Sequence, residues 1–99
     1  MRDDFVHHRP DSTRNRTEWL AALRHALGPL AGMQVDILHV VADGDRVVMH
    51  SRRRLPGGPE IVVVDVLRVQ DGQVAEVWEI IEPVAQAAAH LQWWKTAHR

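Results

Sequence analysis

Ninety-nine residues set an upper bound of one domain, expected to run from 1 to 99, with a thin core. A formal net charge of −1 offers no field to draw the chain to nucleic acid or to anionic membrane, and 45% hydrophobic content argues against disorder. The absence of cysteine excludes disulfides, thiol catalysis and thiolate metal sites, and fits a reducing compartment. No apolar run approaches the ~20 residues of a membrane span, and the first residues lack the apolar stretch of a secretory signal. The expectation is a cytoplasmic protein.

Residues 4–8 read as a short strand ended by Arg9 and Pro10. A helix follows over 15–28. Asn15 and Glu18 form a capping-box pair at its start, and Trp19, Leu20, Leu23 and Leu27 form its apolar stripe. Gly28-Pro29 stops it. The next fifty residues are strand and turn, with runs at 33–42, 46–54, 60–70 and 73–82 rich in valine and isoleucine. Asp43-Gly44, Pro56 to Pro59 and Asp71-Gly72 punctuate them as hairpin turns, giving a four-stranded antiparallel meander. Pro83 suits the first turn of a last helix over 84–97, which carries Trp93 and Trp94. The fold class is α+β: a curved antiparallel meander, plus a short N-terminal strand, packed with two helices.

The run from Ile61 to Leu67 is apolar on both faces, so both faces must be covered. One face should line a pocket or meet a helix. The other should meet a second copy of the chain, as a homodimer.

Asp65 interrupts that run, and a buried carboxylate must be paired, hydrogen-bonded or protonated. A four-residue loop at Pro56 to Pro59 sets His50 opposite Asp65 on one face. An Asp43-Gly44 turn pairs His39 with Val48 and brings His39 to the same face. The third hairpin leaves two readings open, with either Trp78 or Glu79 on the pocket face. A few polar groups on an apolar surface is the usual layout of a small-molecule site. His7 and His8 are adjacent on a strand and point oppositely. His39, His50 and Asp65 also have the residue types of a two-His-one-carboxylate metal triad, a reading with no supporting His-x-His string, so no metal site is assigned. Arg52 to Arg54 read as a solvated strand end. The chain lacks the basic and aromatic surface that nucleic-acid binding needs.

Three strings carry a family resemblance. Residues 40–51 (VVADGDRVVMHS) resemble the "xVIADGDxVxVHS" stretch of SnoaL-like proteins of the nuclear-transport-factor-2-like superfamily. Residues 64–79 (VDVLRVQDGQVAEVWE) resemble their "xDxFRxxDGKxxExWD" signature, and residues 5–10 (FVHHRP) their opening "YxQHNP". The resemblance implies a cone-shaped α+β barrel around a ligand cavity. Characterised members include polyketide cyclases that close rings by aldol chemistry without a cofactor. It further implies Asp65 as general acid/base, His50 as its assistant and His8 as a residue facing the cavity; the register argument above adds His39, with Trp78 or Glu79, as ligand contacts. The ligand implied is a small apolar or aromatic carbonyl compound, and the activity a cyclase, isomerase or dehydratase; a non-catalytic ligand-binding or dimerisation module is the alternative. Two positions depart from the pattern: Arg9 stands for asparagine and Glu79 for aspartate. The family usually has helices before the opening motif, and the C-terminal helix is the candidate to close the cavity instead.

Overall fold

The computed structural model describes residues 1–28 and 30–92. The order is β1 (Val6–Arg9), β2 (Ser12–Asn15), α1 (Arg16–Ala26), β3 (Gln34–Asp43), β4 (Arg46–Arg54), β5 (Glu60–Gln70) and β6 (Gln73–Pro83). A 3-10 turn (Val84–Gln86) and α2 (Ala87–His90) follow. The rest of the helix expected over 84–97, Trp93 and Trp94 included, lies outside the described residues.

The capping box at Asn15 is formed. Glu18 N donates to Asn15 Oδ1 at 2.9 Å, and Asn15 N donates to Glu18 Oε1 at 3.0 Å. Such a cap contributes about 1 kcal/mol.

The meander β3–β6 forms as expected, but it is part of a larger sheet. The order is β2-β1-β6-β5-β4-β3, six strands rather than four. The β1–β2 hairpin joins the far edge, with β1 parallel to β6, so the sheet is mixed. β2 (Ser-Thr-Arg-Asn) carries no apolar alternation that would mark it as a strand.

Three turns decide which side chains share a face. The first hairpin turns on Gly44-Asp45, not Asp43-Gly44, because Asp43 pairs with Arg46. Gly44 takes φ +59° at the first central position, as a type II′ turn requires. Hence His39 pairs with His50 rather than with Val48, and Leu38 is the extra residue of a bulge. The second loop is five residues long, closed where Leu55 N donates to the Pro59 carbonyl at 3.3 Å. Arg54 therefore pairs with Glu60, Met49 with Asp65, and His50 with Val64. This shift of one residue puts His50 and Asp65 on opposite faces, which overturns the expected pair and the metal triad built on it. The third turn is Asp71-Gly72, with both residues at positive φ. A bulge at Ala75 then moves the register, so that Asp65 pairs with Glu79, which neither sequence reading anticipated.

α1 crosses the concave face. The core beneath it is small: among the described residues the buried hydrophobic ones are Phe5, Val63 and Ala75. Phe5 meets Trp19 of α1 edge to face, with ring centroids 5.5 Å apart. The other face is convex and, among the described residues, largely uncovered. β3 is exposed along its whole length, and Val41, Val48 and Ile80 are open to solvent.

Candidate functional site

Alternation along the strands sorts the ionisable residues onto the two faces. The concave face receives His7 from β1, Arg53 from β4, Asp65 from β5 and Glu79 from β6. They line two adjoining hollows of about 340 Å³ each, which share His7, Trp19, Arg53 and Glu79. That size suits small ligands. The proximal lobe adds Phe5, Met49, Asp65, Leu67 and Val77. The distal lobe lies under α1 and the β1–β2 hairpin.

The centre of the site is one guanidinium between two carboxylates. Arg53 Nη2 donates to Asp65 Oδ2 at 3.1 Å, while Arg53 Nη1 lies 3.9 Å from Glu79 Oε2. His7 Nε2 lies 3.9 Å from the same Glu79 oxygen. Asp65 is only 6% exposed. Burial pushes its carboxyl above the ordinary carboxylate range and the facing Glu79 adds to this; Arg53 and His7 pull the other way. The His7 ring is pushed below the ordinary imidazole range, chiefly by burial and then by Arg9. Unpartnered polar atoms also face this region: His7 Nδ1, Ser51 Oγ and Arg53 Nε are buried with no hydrogen-bond partner among the described residues.

Four of the six expected site residues lie on the convex face. His50 and His39 stack on each other there, Nδ1 to Nδ1 at 3.1 Å. His8 bonds Glu76 Oε2 through Nε2 at 2.6 Å and stacks on Trp78. Arg46 covers Trp78 at 5.8 Å, so that indole is occupied by side chains of its own fold. β1 pairs His7 with Val77 and His8 with Trp78, so His7, not His8, enters the hollow. Asp65 and Glu79 do face it. Sequence reading missed His7 and Arg53. The signal for His7 was its same-side spacing with Phe5. Arg53 is no solvated strand end, its side chain being only 21% exposed.

His7 makes a stability prediction. A histidine held neutral by burial contributes stability that is fully present above its unfolded pKa of about 6.5 and is lost as pH falls through the lower folded value. His7→Phe should therefore narrow the drop in urea midpoint between pH values of about 7.5 and 5. An unchanged drop would assign the acid sensitivity to other groups.

A curved mixed sheet packed with helices is the fold of nuclear-transport-factor-2-like structures. Within that class the chain belongs to the SnoaL-like domain family, whose model matches residues 1–77. Solved structures agree on the fold. IdmH, a candidate polyketide cyclase from Streptomyces antibioticus, superposes with TM-score 0.73 at 23% identity over 89% of this chain and 81% of its own. A candidate ketosteroid isomerase from Kribbella flavida gives 0.73 at 22% identity over 85% of this chain and 62% of its own. An LEH-like epoxide hydrolase from M. tuberculosis gives 0.67 at 26% identity over 83% and 65%. No curated protein matches the sequence. Among the described residues no helix is long and apolar enough to cross a membrane, and no group of three or more His, Asp or Glu is arranged to hold a metal ion.

Proposed function

We propose that the concave hollow binds a small apolar or aromatic carbonyl compound, and that the chain acts on it without a cofactor as a cyclase, isomerase or dehydratase. One observation carries this reading: Asp65 is a buried carboxylate, raised in pKa, that faces a ligand-sized hollow beside a second carboxylate and a guanidinium. A base works best with its pKa near operating pH, and burial moves Asp65 in that direction. Glu79, paired with Asp65 across the two strands, adds to that rise. Ionised Asp65 would take the proton beside the carbonyl, and the bonding electrons would pass to the carbonyl oxygen. Arg53, or a donor on His7, would stabilise that oxyanion. The enolate would then recover a proton elsewhere, attack a second carbonyl, or expel a β-hydroxyl group. In this reading Arg53 and His7 replace His50. Relatives named as cyclase and isomerase share the fold and support the reaction class as a proposal.

The test is exchange of α-protons of an aromatic ketone, such as 2-tetralone, followed by NMR in heavy water. The wild-type chain should accelerate exchange over buffer. No acceleration across a set of aryl ketones would overturn the catalytic reading.

The convex face supports assembly as a second role. Val41 is 62% exposed, Ile80 55% and Val48 37%, on one face with Val64 and Val66 between them. With so small a core, a second copy laid over this face would cover the apolar surface that the chain leaves bare. Val41→Lys should convert a dimer to a monomer at micromolar concentration by sedimentation analysis. A wild-type chain that is already monomeric would remove this role.

A further inference from the structure

The chemistry proposed above uses the proximal lobe and leaves the distal lobe without a task. That lobe has an apolar wall of Trp19, Leu23, Leu30, Ile61 and Ile81. Its polar side differs in kind from that of its neighbour, because Arg9, Arg14 and Arg53 line it against a single carboxylate, Glu79. The β1–β2 hairpin explains the grouping. Arg14 pairs directly with His7 across the hairpin, and Arg9 stands two residues beyond His7, so all three project from one face. Ser12 lies on that face too, and its Oγ is buried without a partner among the described residues.

The three guanidiniums are unequally compensated. Arg9 is held in a two-point contact by Asp11, at 3.0 and 2.9 Å. Arg53 serves Asp65 and Glu79. Arg14 is half-buried and makes no side-chain hydrogen bond or ion pair among the described residues. Asp11 acts on Arg14 only through space, so a guanidinium beside an apolar wall is left with no carboxylate in contact, an arrangement that a directly bound anion would stabilise. Its fork also matches the two oxygens of a carboxylate or similar oxyanion.

We infer that the ligand carries an anionic group, bound by Arg14 with Arg9 in the distal lobe, and an apolar ring body that reaches towards Asp65 in the proximal lobe. The inference rests on the hollow being a ligand site, and it narrows the class from a neutral carbonyl compound to an apolar oxyanion-bearing one.

Two fluorescent probes test it: 1-anilinonaphthalene-8-sulfonate and N-phenyl-1-naphthylamine. They share one ring body and differ by the sulfonate. The full chain should bind the sulfonate about tenfold tighter or more, the scale of one charge-assisted hydrogen bond. Arg14→Gln should remove most of that preference and leave the neutral probe within about twofold, and added salt should weaken only the sulfonate. Equal affinity for both probes, or a preference that survives Arg14→Gln, would overturn the anion inference alone. Binding of neither probe would overturn the ligand hollow itself, and this inference with it. A sulfonate preference that vanishes in Val41→Lys instead would place the dye on the convex face, and likewise refute it.

Discussion

Arg53→Met should lower stability by about 3 kcal/mol at neutral pH, and by much less near pH ~4. Methionine keeps most of the apolar stem of the arginine, so packing changes little and the charge is what is lost. What remains is Asp65 facing Glu79 across two strands, with side chains 8% and 17% exposed. Removing one partner of a buried pair costs about 3–5 kcal/mol, because the other charge stays behind. The partial exposure of Arg53 sets the expectation at the lower end of that range. The pH dependence follows from the raised pKa of Asp65. Its folded form holds a proton that the unfolded chain has already released, so its stabilising contribution is complete below the unfolded pKa, about 3.9, and is lost as pH rises through the folded value. Arg53 is the larger of the two groups that oppose this rise. Without it the folded pKa climbs further, and the gap between wild type and variant opens with increasing pH. Urea unfolding at both pH values measures the gap. Equal losses at the two would mean that Arg53 acts through its stem and not its charge. Adding Asp65→Asn to Arg53→Met should restore part of the loss, since the pair is coupled.

Most elements were legible in the sequence because they rest on local signals; β2, with no apolar alternation, was not. Asn15 and Glu18 announce the helix, and Asp71-Gly72 announces a turn, which forms as the two-residue one of the two lengths left open. The faces were less legible, because they depend on counting residues through loops and bulges. One extra residue between Arg54 and Glu60 sends His50 away from Asp65. The bulges at Leu38 and Ala75 have no sequence mark, since neither residue is a glycine or a proline. Glu79 reached the concave face only through the second of them. His7 and Arg53 depended on longer-range facts: β1 pairs with residues seventy positions later, and Arg53, the middle arginine of the strand end, sits under α1 while Arg52 and Arg54 stay exposed. Asp65 was readable without any register, because a carboxylate inside an apolar run needs an explanation wherever the strand lies.

Asp65→Asn should separate function from stability. The amide has the size of the carboxylate and can still accept from Arg53, so the local packing survives. It cannot take up a proton near neutral pH, so ketone exchange should fall by about 10²–10⁴-fold, the range associated with a positioned acid/base group. Stability at neutral pH should hold or rise, because the substitution ends the repulsion with Glu79 and the burial of a charge. Both changes are read on one sample, by NMR exchange and by urea midpoint. A group that only held the fold would give the opposite pattern, with lower stability and activity preserved in the folded fraction. Glu79→Gln supplies the comparison: it removes the same repulsion but leaves Asp65 able to ionise, so it should lower the optimal pH for exchange and retain turnover. Should Asp65→Asn keep its exchange rate while Glu79→Gln loses it, the base is the residue on β6, and Asp65 is the neutral neighbour that tunes it.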